Sequence, residues 1–256
     1  MRTAGAALGF FAAAMAALGI LGFITGDFAS VWQPVPRWVP GRTMLAFGCA
    51  AISFAGGVGL LWSRTAAAAA RILFLYLLLW LLLLRVPAVL VAPLSEVSWS
   101  GCGENAVLVA AAWVLLARSA TPPYGSYLIF PTGGRGIRLA AIAYGLALFP
   151  CGLAHIVYLT DTAQLVPAWL PWHTAWAWLT GAAYLAAGAA IVCRICDRAA
   201  ALLSAAMMGA FTLLVWVPAV TRTPADRFSW TALLISSSLA AGACVVADAY
   251  RIRPDG

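Results

Sequence analysis

The chain has 256 residues, of which 64% are hydrophobic and only 9% are charged, and its mean hydropathy is +0.96. Soluble domains carry roughly 25% charged residues, so this composition argues against a soluble protein and indicates a polytopic membrane protein. The net charge of +7 comes from arginine, because lysine is absent. These arginines stand singly at the ends of apolar runs and form no basic stripe. We therefore predict that these arginines lie next to a lipid bilayer and do not bind a nucleic acid.

Eight apolar runs are long enough, at about 20 residues each, to cross the hydrocarbon core of a bilayer. They must be helices, because backbone polar groups in lipid have to be satisfied within the segment. The predicted spans are 4–25, 43–63, 71–92, 103–118, 137–158, 173–194, 199–221 and 230–249. The fold class is therefore an all-α integral membrane protein with eight transmembrane helices.

The chain repeats itself without a gap at one constant offset, the one that separates Trp38 from Trp169. Prolines, glycines and tryptophans coincide between the two copies. The anchors are two Pro-x-Trp-x-Pro loops, with Trp38 and Pro40 in one and Trp169 and Pro171 in the other, and the pairs Pro87 with Pro218, Gly57 with Gly188 and Trp99 with Trp230. Such matches indicate a duplicated structural unit. We expect Pro87 and Pro218 to kink the third and seventh spans at matching depths.

The repeat divides the chain into a first four-helix unit, 1–118, a cytoplasmic linker, 119–136, and a second four-helix unit, 137–256. It also bears on the first run, which has the form of a signal peptide with Arg2 at its start. Its counterpart, 137–158, lies inside the chain and cannot be cleaved off. We therefore expect the first run to remain as a span.

Arginines predict the orientation in the membrane. One side collects ten of them and the other collects four, with Arg85 left inside a span. The positive-inside rule then places both termini in the cytoplasm and both Pro-x-Trp-x-Pro loops outside. Four helices per copy is an even number, so we expect the two units to be parallel and pseudo-symmetric, related by an axis along the membrane normal.

The second copy contains Val166-Pro167-Ala168-Trp169-Leu170-Pro171, followed by Leu179-Thr180-Gly181 and Gly188. This resembles the DoxX-like family of four-helix membrane proteins, whose pattern is Val-Pro-x-Trp-Leu-Pro and then a helix with Leu-Thr-Gly-x-x-Glu. The family's acidic position falls on Tyr184 here and on Ser53 in the first copy. The resemblance implies two DoxX-like units in tandem in the bacterial inner membrane. It also implies a membrane-anchor or quinone-linked role, with any role of the acid in doubt.

Arg85 is the charge most informative about function. It lies roughly 21 Å along the third span at 1.5 Å per residue, where a cation needs a partner or a route to water. It either snorkels or pairs with a carboxylate, or it contacts an anionic or quinone head group. Asp27 and Asp161 are the plausible counter-ions, and Glu96 and Glu104 are the next nearest in topology. The second copy has Trp216 at the position of Arg85.

His155 and His173 lie on consecutive spans, both near the outer face. Two histidines on facing helices can hold a haem or another metal, but these have no spacing motif, and His173 aligns with Arg42. A hydrogen bond to a quinone carbonyl is the better use. No metal site and no catalytic residue are predicted, because no Ser-His-Asp, Glu-x-x-His or Walker-type arrangement occurs.

Two functions stay open. The first is a non-catalytic accessory subunit that packs against other integral membrane subunits of a redox or photosynthetic complex, with the tryptophans as an aromatic belt. The second is a quinone-linked oxidoreductase subunit, with Arg85, His155 and His173 around an outer-leaflet pocket. A transporter is a poorer fit, because the halves are not inverted and no span is broken near its middle.

Overall fold

The computed structural model describes residues 5–119 and 130–250, and all regular secondary structure in these ranges is helical. Within these ranges, eight helices are long and apolar enough to cross a membrane, which confirms the predicted class of an all-α protein with eight transmembrane helices. They are α1 (Ala6–Thr25), α2 (Arg42–Leu60), α3 (Ala66–Val91), α4 (Glu96–Ser119), α5 (Gly133–Val157), α6 (His173–Cys193), α7 (Asp197–Arg222) and α8 (Arg227–Ala249). A short helix, Leu159–Leu165, lies between α5 and α6.

α4 departs most from the predicted spans, because it begins at Glu96 and has 24 residues, whereas the sequence predicted 103–118. Its first turns carry Glu96, Ser98 and Ser100, whose polarity lowers the local hydropathy and hides the start of the helix. α5 likewise begins early, at Gly133, inside the predicted linker. Residues 120–129 of that linker lie outside the described ranges.

A π-helical turn lies at each position where we predicted a kink, Leu81–Arg85 in α3 and Thr212–Trp216 in α7. The two turns are related by the offset of the sequence repeat, and each directly precedes the segment that contains Pro87 or Pro218. A proline ring in a regular helix clashes with the carbonyl four residues earlier. The π-helical turn is wider, because the backbone N–H of residue i donates a hydrogen bond to the carbonyl oxygen of residue i−5, and this relieves the clash. The turn has the same length in both copies.

α4 and α8 pack against each other at the centre of the bundle. In each of these two helices, 61% of an apolar stretch of 18 residues is buried inside the protein, against 28–39% in the other spans. The remaining helices surround this pair: α1 lies between α2 and α8, and α5 lies between α4 and α6. α3 contacts α2 and α4, and α7 contacts α6 and α8 in the corresponding way.

Contacts at the helix ends establish the helix directions. Arg118 bonds Asp248, so α4 and α8 end together, whereas Asp27 bonds Arg227, so α1 ends where α8 begins. Gly136 packs on Ala117, which places the start of α5 at the end of α4. α1 and α5 therefore run in the same direction.

We call the end where α1 and α5 begin the linker end. The opposite end, which carries both Pro-x-Trp-x-Pro loops, is the Trp-loop end. Trp38 and Trp169 are 81% and 71% exposed there, and both loop prolines, Pro40 and Pro171, are exposed as well. A rotation about the membrane normal between the halves stays a prediction, as does the side of the membrane on which each end lies.

Glycines bring the first two helices of each half into close contact. A methyl group added at Gly57 in α2 would lie 2.5 Å from the Ala12 carbonyl oxygen in α1. One added at Gly188 in α6 would lie 2.7 Å from the Gly145 carbonyl oxygen in α5. Small residues at such points let helix backbones approach in lipid, where no hydrophobic force drives helices together.

We predict that Gly57→Ala destabilises the protein, because the new methyl group meets backbone that cannot move aside. The expected loss is about 1–3 kcal/mol, typical of overpacked sites. The measurement is thermal unfolding in detergent. Gly48→Ala on the same helix is the control, since nothing lies within 4 Å of its added methyl group. Equal melting temperatures for the two variants would contradict close packing at Gly57.

Candidate functional site

A cavity of about 70 Å³ lies at the Trp-loop end, between all four helices of the first half and α8 of the second half. Most of its wall is apolar, but it also contains an unusual number of polar side chains for a site within membrane spans. The polar residues used below are Trp32, Gln33, Tyr76, Arg85, Glu104 and Asn105. We call this space the first-half cavity. Ionisable groups at such a depth are a default indication of a functional site.

Arg85 lines this cavity at the end of the π-helical turn of α3, and it is only 8% exposed. Its Nη2 donates hydrogen bonds to the carbonyl oxygens of Val31 and Trp32, both at 2.9 Å. Its guanidinium lies against Gly101 of α4, where any side chain would overlap it. Arg85 therefore binds backbone of the α1–α2 loop, which folds back into the end of the bundle.

Asp27 is not the partner of Arg85, so that predicted ion pair is wrong. It pairs instead with Arg42 of α2 and, through a 3.1 Å bond, with Arg227 of α8. Burial acts to raise the pKa of Asp27, but hydrogen bonds from Arg227, from the backbone N–H of Phe28 and from Arg42 outweigh it and hold that pKa below its ordinary value. The carboxylate ties three helices together. Asp161, the other proposed counter-ion, is exposed on the short helix after α5.

Two further hydrogen bonds fasten the same loop to the bundle. Trp32 Nε1 donates to Glu104 of α4 at 2.6 Å, and Gln33 Nε2 donates to the hydroxyl of Tyr76 of α3 at 3.0 Å. Ser53 also donates to that hydroxyl, at 3.4 Å. Tyr76 therefore accepts from two groups and keeps its own proton to donate. The sequence indicated Glu104 only as one of the next nearest carboxylates to Arg85, and nothing in it indicated Tyr76.

His155 and His173 lie in the second half and do not line the first-half cavity. His155 Nδ1 is bonded to the Cys151 carbonyl oxygen at 2.8 Å, and its ring packs against Tyr184 and Phe211, with centroids 5.2 and 5.7 Å away. His173 begins α6 and is half-buried. The structure thus separates Arg85 from both histidines. Within residues 5–119 and 130–250, no three His, Cys, Asp or Glu side chains cluster as metal ligands would.

The second half lacks the polar set of the first-half cavity. At the corresponding positions of the repeat, Trp216 stands for Arg85, Ile235 for Glu104 and Met207 for Tyr76. Trp216 packs edge-on against Phe228, with centroids 6.0 Å apart. These three positions of the repeat therefore carry polar or charged side chains in the first half and apolar side chains in the second.

We predict that Asp27→Asn lowers the melting temperature at neutral pH and that this loss disappears in acid. Because the folded-state pKa of Asp27 is lowered, its stabilisation is full above its ordinary pKa of about 4 and is lost as the pH falls through the lower, folded value. The measurement is melting temperature against pH in detergent for the wild type and the variant.

The control for this prediction is Asp161→Asn, which removes an exposed carboxylate from the short helix. Its melting temperature should follow that of the wild type at every pH. A loss in Asp27→Asn that persisted unchanged in strong acid, or that was absent at neutral pH, would contradict the stabilising role of the carboxylate.

Comparison with known proteins gives no match: no protein-family model, curated protein or solved structure resembles the chain significantly. The DoxX-like resemblance thus depends on the Pro-x-Trp-x-Pro loops and the helix that follows each of them. It stays a prediction.

Proposed function

We propose that this protein is a non-catalytic integral membrane subunit, built from two DoxX-like four-helix units, that packs against another membrane protein. The partner class that we favour is a subunit of a redox or photosynthetic complex. This chain would lie in the bacterial inner membrane with both of its termini in the cytoplasm. The observation that carries the proposal is a matched pair of exposed faces on the peripheral helices α2 and α6, in which six of eight residues are glycine or alanine.

The two faces have the spacing of a helix–helix interface. Exposed residues recur at alternating intervals of four and three, which is the heptad spacing of packed helices. They are Met44, Gly48, Ala51 and Ala55 on α2, and Ala175, Leu179, Ala182 and Ala186 on α6. Small residues at such positions allow another helix to approach closely, whereas contact with lipid chains does not require them.

The exposed face of α3 is different, because it carries large side chains such as Ile72 at 50%, Leu75 at 53% and Leu79 at 54% exposure. α7 has exposed residues at the spacing of the α6 face, but the corresponding positions of α3 are these large residues, so the two copies do not share that face. Bulky, flexible side chains suit lipid. We therefore assign the exposed faces of α3 and α7 to the bilayer and the faces that the two copies share, on α2 and α6, to partner helices.

A bulky pair on α6 tests this assignment. The double variant Ala182→Leu, Ala186→Leu should block close approach, so the complex extracted in mild detergent should lose its partner and fall to the size of a single chain of 26.8 kDa. The measurement is native-gel and light-scattering mass, with the partner identified by mass spectrometry.

The matched control makes the same change on α7, where Ala206 and Ala210 are also exposed alanines on one face of a helix. Ala206→Leu, Ala210→Leu should leave the complex intact. A wild-type protein that runs as a single chain in every mild detergent would contradict the proposal, and so would equal behaviour of the two variants. A mass that is a whole multiple of 26.8 kDa would replace the foreign partner with a second copy.

A quinone-linked subunit is the second candidate, and the first-half cavity favours it. The Tyr76 hydroxyl lies beside the Cys49 thiol, and a thiol sulfur is a weak hydrogen-bond acceptor. Tyr76 can therefore donate its proton to a quinone carbonyl oxygen instead. Arg85 Nε and Asn105 Oδ1 have no hydrogen-bond partner within the described ranges. At about 70 Å³ the cavity has room for the carbonyl edge of a ring, not for a whole quinone with its tail. The two histidines lie elsewhere and do not contribute.

Solvent extraction of the purified protein tests this candidate. One quinone per chain should be recovered from the wild type, and Tyr76→Phe should lower the recovery several-fold because it removes the donor. Tyr184→Phe, a buried tyrosine of the second half, is the control and should retain the wild-type amount. Protein that yields no quinone, with an absorbance spectrum free of haem, would leave the accessory subunit as the function.

A further inference from the structure

A second cavity lies at the linker end of the second half, between the start of α5, the end of α6, the start of α7 and the end of α8. Its volume is about 260 Å³, larger than that of the first-half cavity. Three guanidiniums line it, those of Arg135, Arg138 and Arg194, together with Asp197 and Tyr250. We call it the arginine pocket. Its three cations against one carboxylate leave a surplus of positive charge.

The guanidiniums of the pocket are available to a ligand. All three arginines are exposed, and within the described ranges none of them forms a hydrogen bond or an ion pair through its side chain. At other positions the chain does pair its arginines, as with Arg118 and Asp248. An open concavity with several unpaired guanidiniums is suited to a phosphate group, which guanidinium binds through two parallel N–H···O bonds.

The remaining wall of the pocket is apolar and includes Leu139, Ile142 and Ile191. Leu139 and Ile142 follow Arg135 and Arg138 along α5, so they lie deeper in the span than the charges do. A charged rim at the end of a span, above an apolar wall, matches an amphiphile with an anionic head and a hydrocarbon tail. Basic pockets between transmembrane helices are known to hold anionic lipid head groups.

Arg194 occupies its place in the pocket against its backbone preference. It caps α6 with a φ of 61°, a left-handed conformation that helices usually give to glycine. At the corresponding positions of the first half, Ala7 stands for Arg138 and Ser63 for Arg194. These two arginines of the lining therefore have no counterpart in the first copy.

We propose that the arginine pocket is a binding site for a phosphate-bearing anion, namely the head group of an anionic phospholipid. It lies at the opposite end of the bundle from the first-half cavity. Occupancy of the pocket is therefore independent of the proposed function. The phosphodiester would bind the three guanidiniums, and the first part of the acyl chains would lie on the apolar wall.

Native mass spectrometry of the purified full-length protein in an uncharged detergent tests the site, with dioctanoyl phosphatidylglycerol as the probe. One molecule should bind per chain, at least about tenfold more tightly than dioctanoyl phosphatidylcholine, because the choline cation offsets the phosphate charge. Added salt should weaken this binding. Inorganic phosphate is the second probe. If phosphate competes at the same concentration as the lipid, the ligand is a soluble phosphate and the lipid assignment is overturned.

Arg194→Gly removes one guanidinium and should leave the fold intact, because glycine adopts this left-handed conformation without strain. With Arg138→Gln it should weaken phosphatidylglycerol binding about tenfold or more at an unchanged melting temperature. Arg64→Gln is the matched control, since Arg64 is an exposed arginine in the corresponding turn of the first half. Equal weakening by the control, or wild-type binding by Arg194→Gly, Arg138→Gln, would overturn the proposal.

Discussion

Close approach of helix backbones through small residues is the constraint on which this structure depends. In hydrocarbon there is no hydrophobic force between helices, so packing contacts and internal hydrogen bonds have to hold the bundle together. Gly57 of α2 lies directly on the α1 backbone, and Gly188 of α6 lies on that of α5. At the centre, Gly242 of α8 faces Ala111 of α4. The same constraint applies at the surface, since the exposed small residues of α2 and α6 would allow a helix of a partner protein to pack closely against them.

The two halves share a frame and differ in where they place charge. Their π-helical turns fall at corresponding positions of the repeat, and Trp99 and Trp230 make the same indole hydrogen bond, to the carbonyl oxygens of Pro93 and Pro224. On this frame the first half carries its buried cation, Arg85, at the Trp-loop end. The second half instead carries its exposed, unpaired arginines at the linker end. The two halves thus share backbone features while their side-chain chemistry differs, as expected where a site depends on a few residues and a fold on many.

The sequence was sufficient for the spans and the shared boundaries, because both depend on hydropathy and on repeated prolines. It was insufficient for α4, whose polar first turns resemble a loop although they continue directly into a helix at the centre of the bundle. It was also insufficient for Arg85. Asp27 is the nearest carboxylate in topology, but the α1–α2 loop folds inward, and its carbonyl oxygens accept the hydrogen bonds of Arg85 instead. No local sequence pattern predicts this inward fold. The exposed faces of α2 and α6 were equally hidden, because exposure depends on which neighbours a helix has.

The contacts of the first-half cavity also bear on which proposal is the stronger. Arg85 Nη2, Trp32 Nε1 and Gln33 Nε2 all donate to the protein itself and hold the α1–α2 loop. A quinone that took over any of these donors would have to replace a hydrogen bond worth about 0.5–1.5 kcal/mol, and more where the group is charged. The Tyr76 proton, beside a weak thiol acceptor, and the two unpaired atoms carry little of that cost. The polar end of the first half therefore suits a rigid rim better than a binding site, which is why we place the accessory subunit first.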